Sequence, residues 1–477
     1  MLREEKNVNR MSLEGPTLIL AEYLSKLSFD ILQEEVIKKA KYLLLDYIGY
    51  TISSYKEDAA EIIISVISKI GGKPESTVLG YGMKTSCLLS AFANGAMAHM
   101  TELDDTHTPT MSHPGDAIIS AALALGEREG VGGKELLTAI VVGYEAALRI
   151  GEAVMPTHYW RGFHPSGTIN TFGAAAAAGR VLNLTPNQMA SALGLAGLQA
   201  SGYFYFVDEG IRMPKDFNVG RAALSGVLAS LLAHERFQGG TTVLESEHGF
   251  CRLFADPFSI NINRITENLG KEFKILEVSH KPYSACRHMH AAIDALLNII
   301  REHKISPSEI EEVVASIFST GARFVDDPEP WLPERGPYGP RFSTQFNLAI
   351  AIIEGEEGIR RLFDREYART KLNDTYVREF MKKIKVVPNP ELDKEFPRMW
   401  SSIVEVKTRK GVYSHRVDYP RGEPRNPMSY EELLTKFRVL TSKTLRKDVI
   451  EEIINMINNL EKVKDIREFI DLLTKSS

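Results

Sequence analysis

Phe273-Lys-Ile-Leu-Glu-Val278, an amphipathic run from Met289 to Arg301, and Glu312-Val-Val-Ala-Ser-Ile-Phe318 succeed one another past the middle of this 477-residue chain. The order of short apolar run, helical periodicity and β-branched run reads as strand, helix, strand, a β-α-β unit. More strand-like runs follow at Ile384-Lys-Val-Val-Pro388 and Ile403-Val-Glu-Val-Lys407, then, after a Lys-Gly turn, at Gly411-Val-Tyr-Ser-His-Arg-Val417. A small α/β domain is therefore expected between two helical parts.

On the N-terminal side, Ile31-Leu32, Val36-Ile37, Ala40 and Leu43-Leu44-Leu45 recur at helical spacing. On the C-terminal side, Ser429 is placed to cap a helix, and Val449 to Leu460 is amphipathic. Segments 173–179, 190–197 and 222–233 are rich in Ala and Gly, so helices bearing them must approach closely and lie centrally. Arg180, Asn187, Gln199, His234 and Glu235 punctuate them, which argues against membrane spans. The fold class expected is α+β.

A hydrophobic content of 44% builds the cores that two domains need. The net charge is −5 and no basic block is present, which removes the footprint of a nucleic-acid binder and favours a small-molecule partner. Cys87, Cys251 and Cys286 are odd in number and far apart, so neither a disulfide framework nor a cysteine-held metal or cluster is expected. The N-terminus shows no signal pattern, and a soluble cytoplasmic protein without membrane contact is the expectation.

The chemistry is concentrated in polar islands. His99-Met-Thr-Glu-Leu-Asp-Asp-Thr-His-Thr-Pro-Thr-Met-Ser-His-Pro114 holds three histidines and three carboxylates in sixteen residues, which reads as an active-site loop. Arg161-Gly-Phe-His164-Pro-Ser-Gly-Thr168 sets a histidine in a stiff turn at the mouth of an Ala-rich helix. Arg212-Met-Pro-Lys215 precedes another small-residue helix. Lys281-Pro-Tyr-Ser-Ala-Cys-Arg287-His288-Met-His290 opens the helix of the α/β part, where clefts between domains gather ligand groups. His288 and His290 are two apart and point to different faces, so one of them is functional. Cys286 reads as an inert buried thiol. Arg341-Phe-Ser343-Thr-Gln-Phe346 is a weaker signal of the same kind.

With Leu244-Glu-Ser-Glu-His-Gly-Phe250 and Gly422-Glu-Pro-Arg-Asn-Pro427, these ordered motifs resemble the MmgE/PrpD family over nearly the whole chain. The resemblance implies a large all-helical domain from both chain ends (12–275 and 420–477), a smaller α/β lid (276–419), a homodimer and no cofactor. It carries family site positions onto Thr106, His113, His164, Lys215 and His290. Glu102 stands where cis-aconitate decarboxylase has an aspartate at the head of the loop, and Phe346 where it has a lid tyrosine. Asp104 and Asp105 are expected to brace the loop, with Asp104 also close to substrate, and His107 is left without a role.

Removing a proton from carbon next to a carboxylate creates an aci-carboxylate with two negative charges, which needs cations and donors beside a base. Lys215, with Arg161 or Arg287, is expected to supply the cations, and His113, His164 or His290, with Glu102, the proton transfer. Thr106, Arg161, Arg287 and Asp104 are the expected substrate-binding groups. Asp104, Asp105, His107 and His113 imitate a metal-ligand set, but their spacing lacks the helical His-x-x-x-His arrangement, and no metal is expected. The leading expectation is a hydro-lyase for a small di- or tricarboxylic acid, 2-methylcitrate dehydratase-like, because that reaction does not require the lid tyrosine. A decarboxylase or epimerase on the same fold, and a noncatalytic carboxylate-binding protein, are the alternatives.

Overall fold

The computed structural model describes residues 15–474. The first residues of the expected helical domain, 12–14, lie outside them. The helices that position the site are α1 (Glu34–Ser53), α2 (Cys87–His99), α3 (Pro114–Glu129), α4 (Gly133–Val154), α5 (Pro165–Val181), α6 (Met213–His234), α7 (His290–His303), α8 (Thr344–Arg360), α9 (Tyr430–Thr441) and α10 (Lys447–Asn458). Helix α5 is the central post: all its residues but Arg180 are buried, and it packs against α3, α4 and α6. The small residues anticipated from sequence explain how. A Cβ added at Gly143 would lie 2.9 Å from the Gly173 carbonyl, and one at Gly226 only 2.5 Å from the Cβ of Ala174. The backbones are nearly in contact, and only glycine allows it.

One apolar cluster collects residues from Leu20 to Val278 and then from Leu433 to Leu473. A second collects Tyr283 to Val406 and reaches Met111, Met155 and Tyr159. The C-terminal helices α9 and α10 therefore return to the first core. Helix α9 begins with a reciprocal capping box between Ser429 and Glu432, as the Ser429 reading anticipated. No described helix is long and apolar enough to cross a membrane.

The sheets are a hairpin of β1 (Ser76–Val78) and β2 (Met83–Thr85), and a four-stranded sheet from β3 (Ile310–Ile317), β4 (Ile384–Pro388), β5 (Ser402–Thr408) and β6 (Gly411–Val417) in the order β4-β3-β5-β6. The α+β class stands, with one correction. Phe273–Val278 is not a strand: Lys274–Glu277 forms a 3-10 turn. Phe273 and Ile275 both enter the helical core, while Lys274 is held by Glu152 at 3.0 Å and Glu277 at 2.9 Å, so the apolar spacing serves one anchoring turn. The parallel crossover lies later, between β3 and β4, with α8 among the helices joining them.

The tight α5–α6 contact makes Gly226→Ala a direct test of this packing. The added methyl is expected to destabilise by roughly 1–3 kcal/mol despite alanine's better helix propensity. Equilibrium denaturation measures this, and an unchanged midpoint would show that the helices separate freely.

Candidate active site

Two His-Pro pairs build the centre of the site. His113 and His164 are the residues preceding α3 and α5, and each is followed by a proline that starts the helix, where a missing N–H costs nothing. Because α3 and α5 pack together, the two imidazoles converge on His99 at the end of α2, with ring centroids 5.1 Å (His113) and 5.7 Å (His164) from it. Ser166 fixes His113 further by accepting its backbone N–H at 3.0 Å, and Asn170 donates to its carbonyl at 2.7 Å.

The two nearest neighbours of His113 Nδ1 are acceptors, Asp105 O at 2.8 Å and Asp104 Oδ2 at 3.0 Å, with the Thr106 hydroxyl at 3.2 Å. That nitrogen carries the proton, so Nε2 is left as an acceptor. His164 is the reverse, since Asn218 Nδ2 donates to its Nδ1 from 3.3 Å and the proton falls on Nε2. Burial, with neighbouring positive groups, holds both imidazoles well below their ordinary pKa. They are neutral at pH 7 and offer one base and one donor.

The cations come from α6 and from the segment crossing between the two apolar clusters. Glu102, in left-handed backbone at φ 52°, accepts from Lys215 and, at 3.2 Å, from Lys281. Lys281 also reaches Asp104 at 2.8 Å, and Asp104 accepts from His99 at the same distance. Burial acts to raise the Glu102 carboxyl, but Lys215 and Lys281 outweigh it and hold it well below the usual carboxylate range. Asp116 behaves oppositely. Burial first, then Asp104 and Asp105, push its carboxyl well above the usual carboxylate range, and it faces His99 at 2.7 Å.

Glu102, His113, His164, Lys215 and Arg287 line one small cavity with Met111, Tyr159, Phe204, Cys286, His288, Phe324, Phe342 and Trp400. Its volume is about 40 Å³, enough for a water or two, whereas a small organic ligand calls for on the order of a few hundred.

Other expected site residues lie elsewhere. Arg161 is exposed and donates to the Leu253 carbonyl at 3.4 Å; it follows a surface turn and lines a separate outer hollow. His290 does not reach the cavity, because its Nε2 is occupied by the Ala285 carbonyl (3.0 Å) and its Nδ1 accepts from Arg287 (3.1 Å). It orients Arg287, which Glu423 also holds at 3.1 Å. His288, two residues earlier, is the histidine that faces the cavity. Thr106 is tied by its backbone to Ser279 and touches His113 rather than the cavity. Asp104 is likewise a brace. Phe346 is buried in the second apolar cluster and is not among the residues that line the cavity. Tyr159, Trp400 and Phe204 went unnoticed in the sequence, since single aromatics carry no spacing signal.

The metal-like set does not converge. Asp105 accepts from Tyr144 and the Gly115 N–H, and His107 turns away toward Glu152 and Glu277, between which the Lys274 ammonium already sits. His99, Asp104 and Asp116 form the tighter cluster, knit together by hydrogen bonds on His99 Nδ1.

A buried pocket of paired acid–base groups between two apolar cores defines an enzyme-like site, and comparison with known proteins gives its lineage. Residues 19–263 match the MmgE/PrpD N-terminal domain and residues 283–462 the MmgE/PrpD C-terminal domain. The chain belongs to the MmgE/PrpD family. It is similar to the cis-aconitate decarboxylase of Aspergillus terreus, 25% identical with 99% of this chain and 98% of the relative covered. The cis-aconitate decarboxylases of Homo sapiens (26%; 97% and 95% covered) and Mus musculus (25%; 97% and 94%) are similar too.

Asp216, beside Lys215, is pushed up to about 8 by burial and accepts a hydrogen bond from the Tyr338 hydroxyl. Its folded pKa exceeds its unfolded value, so wild type loses stability as pH rises from about 4 to 8, by at most about 1.4 kcal/mol per pH unit. Asp216→Asn removes that loss. The melting-temperature difference, variant minus wild type, should grow across this window; a difference independent of pH would show that Asp216 is ionised in the fold.

Proposed function

We propose that the protein is a cofactor-independent lyase for a small di- or tricarboxylic acid, acting by proton abstraction next to a carboxylate. The observation that carries this reading is the opposite setting of two imidazoles beside Lys215 in one cavity: His113 Nδ1 meets the Asp105 carbonyl, and His164 Nδ1 meets the Asn218 amide nitrogen, which leaves an acceptor on His113 and a donor on His164. In this scheme the substrate C–H bond breaks toward His113 Nε2 and its electrons enter an aci-carboxylate. A substrate carboxylate takes Lys215 from Glu102, and Arg287 adds a second positive charge. The C–O bond then breaks, the departing oxygen is held by His164 Nε2–H and receives a proton from Lys215, and the products are an unsaturated acid and water. The proton on His113 leaves, and Lys215 is recharged, when the cavity opens.

Dehydration of a 2-methylcitrate-like acid uses both members of the imidazole pair and remains our first assignment. Decarboxylation is the second reading, favoured by the names of the similar proteins and by the burial of Phe346 in the second apolar cluster, outside the cavity lining. We further propose that residues 276–419 act as the lid over a helical body formed by 12–275 and 420–477, and that the protein works as a cytoplasmic homodimer.

A panel of di- and tricarboxylates followed by proton NMR in D₂O separates the reactions by unsaturated product, released carbon dioxide or deuterium exchange alone. His113→Ala and Lys215→Ala are each expected to lower kcat by about 10²–10⁴ with the circular dichroism spectrum retained. Near-normal turnover by either variant removes that residue from the mechanism. Binding of an acid without any turnover would make the protein a carboxylate binder instead.

A further inference from the structure

A second hollow, about 500 Å³, opens on the surface directly outside the inner cavity, and the two spaces share a wall. Tyr159, Phe204 and Phe324 line both. The three rings touch in pairs, with centroids 4.9 Å apart for Tyr159–Phe204, 5.4 Å for Phe204–Phe324 and 6.1 Å for Tyr159–Phe324. Tyr159 and Phe204 come from the segment around α5, whereas Phe324 rides on the short helix Ser319–Val325 after β3. One member of the triad thus moves with the sheet-bearing part. Since the inner cavity is too small for an organic acid, a ligand must pass in through its wall, and the three rings are the part of that wall shared with the surface hollow.

The hollow has the charge to receive such a ligand. Arg161 and Arg323 stand on it with Asp208 as the one carboxylate among the described lining residues. Arg323 pairs with Asp208 at 2.6 Å, but both side chains are mostly exposed, 72% and 65%, and such pairs exchange readily with a competing anion. The pair also bridges the two parts of the molecule across the mouth. An anion that took Arg323 from Asp208 would release that bridge and stand against the rings.

We propose that this hollow is an outer binding site for a di- or tricarboxylate, held by Arg161 and Arg323, and that Tyr159, Phe204 and Phe324 are the door between it and the inner cavity. The ligand class rests on the lyase reading above; the door does not. Both follow from the same geometry, in which an anion held by Arg161 and Arg323 stands against the three rings and covers the way to the inner cavity until it passes inward.

Cys286 provides a probe that needs no substrate, because it lines the inner cavity, while Cys251 is buried in the helical core and serves as reference. The full-length protein is treated with iodoacetamide at fixed pH and the two modification rates are read by peptide mass spectrometry. Phe324→Ala is expected to raise the Cys286 rate relative to Cys251 by about tenfold or more, and Phe204→Leu to raise it less. A ratio within about twofold of wild type in both variants, or equal acceleration of both cysteines, would show that the rings only pack. Citrate is expected to slow Cys286 modification in wild type and to lose that effect in the Arg161→Gln, Arg323→Gln double variant. Absent or undiminished protection overturns the outer site. Failure of every acid to turn over would sink the lyase reading while leaving the Phe324→Ala ratio as predicted.

Discussion

Two carboxylates and two ammonium groups sealed together in the interior constrain the whole molecule. Glu102 and Asp104 face Lys215 and Lys281 with almost no exposure to water. An isolated buried charge costs several kcal/mol, and removing one partner of such a set typically costs about 3–5 kcal/mol. The loop after α2, the first turn of α6 and the crossing segment at Lys281 must therefore meet in one arrangement. That meeting places His113 and His164 beside Lys215. It also explains the left-handed backbone at Glu102, a strain the ion pairs hold in place.

The same constraint reaches both chain ends. Behind Lys281, His280 binds Asp46 of α1 at 2.9 Å, and Asp46 binds Lys436 of α9 at 2.7 Å, which in turn donates to the Leu103 carbonyl at 2.9 Å. The active-site loop is thus braced from the C-terminal helix, about 330 residues away in sequence, as the return of α9 to the first core requires. Charge pairing of this kind adds little net stability over an apolar core, but it fixes register. A substrate carboxylate that competes for Lys215 would exchange one partner for another without leaving a charge bare. In this account binding is linked to rearrangement at the point where the two apolar clusters join.

Much of this was legible in the sequence because the constraint leaves local marks. The two His-Pro pairs signal histidines held at helix starts, and Ala/Gly-rich stretches signal close helices. Lys215 and Glu102 drew notice as charges beside small-residue helices and apolar runs. What failed had no local mark. Arg161 is three residues from His164, yet a turn between them sends it to the surface. His288 and His290 were read as facing different ways, but which face met the cavity depends on how α7 docks. Phe346 looked like a lost hydroxyl until its ring was seen inside the second apolar cluster. Phe273–Val278 mimicked a strand because an anchoring turn can bury the same apolar positions. The wall of Tyr159, Phe204, Phe324 and Trp400 exists only where distant segments meet.

The central claim is that a carboxylate ligand displaces Glu102 from Lys215 and presents its α-carbon to His113. A crystal structure with a bound tricarboxylate tests this most directly. Expected are a ligand carboxylate in hydrogen-bonding reach of Lys215 Nζ and Arg287, a C–H bond facing His113 Nε2, and an inner cavity expanded to hold it. A ligand bound elsewhere, with Lys215 still paired to Glu102 and the cavity closed, would contradict it.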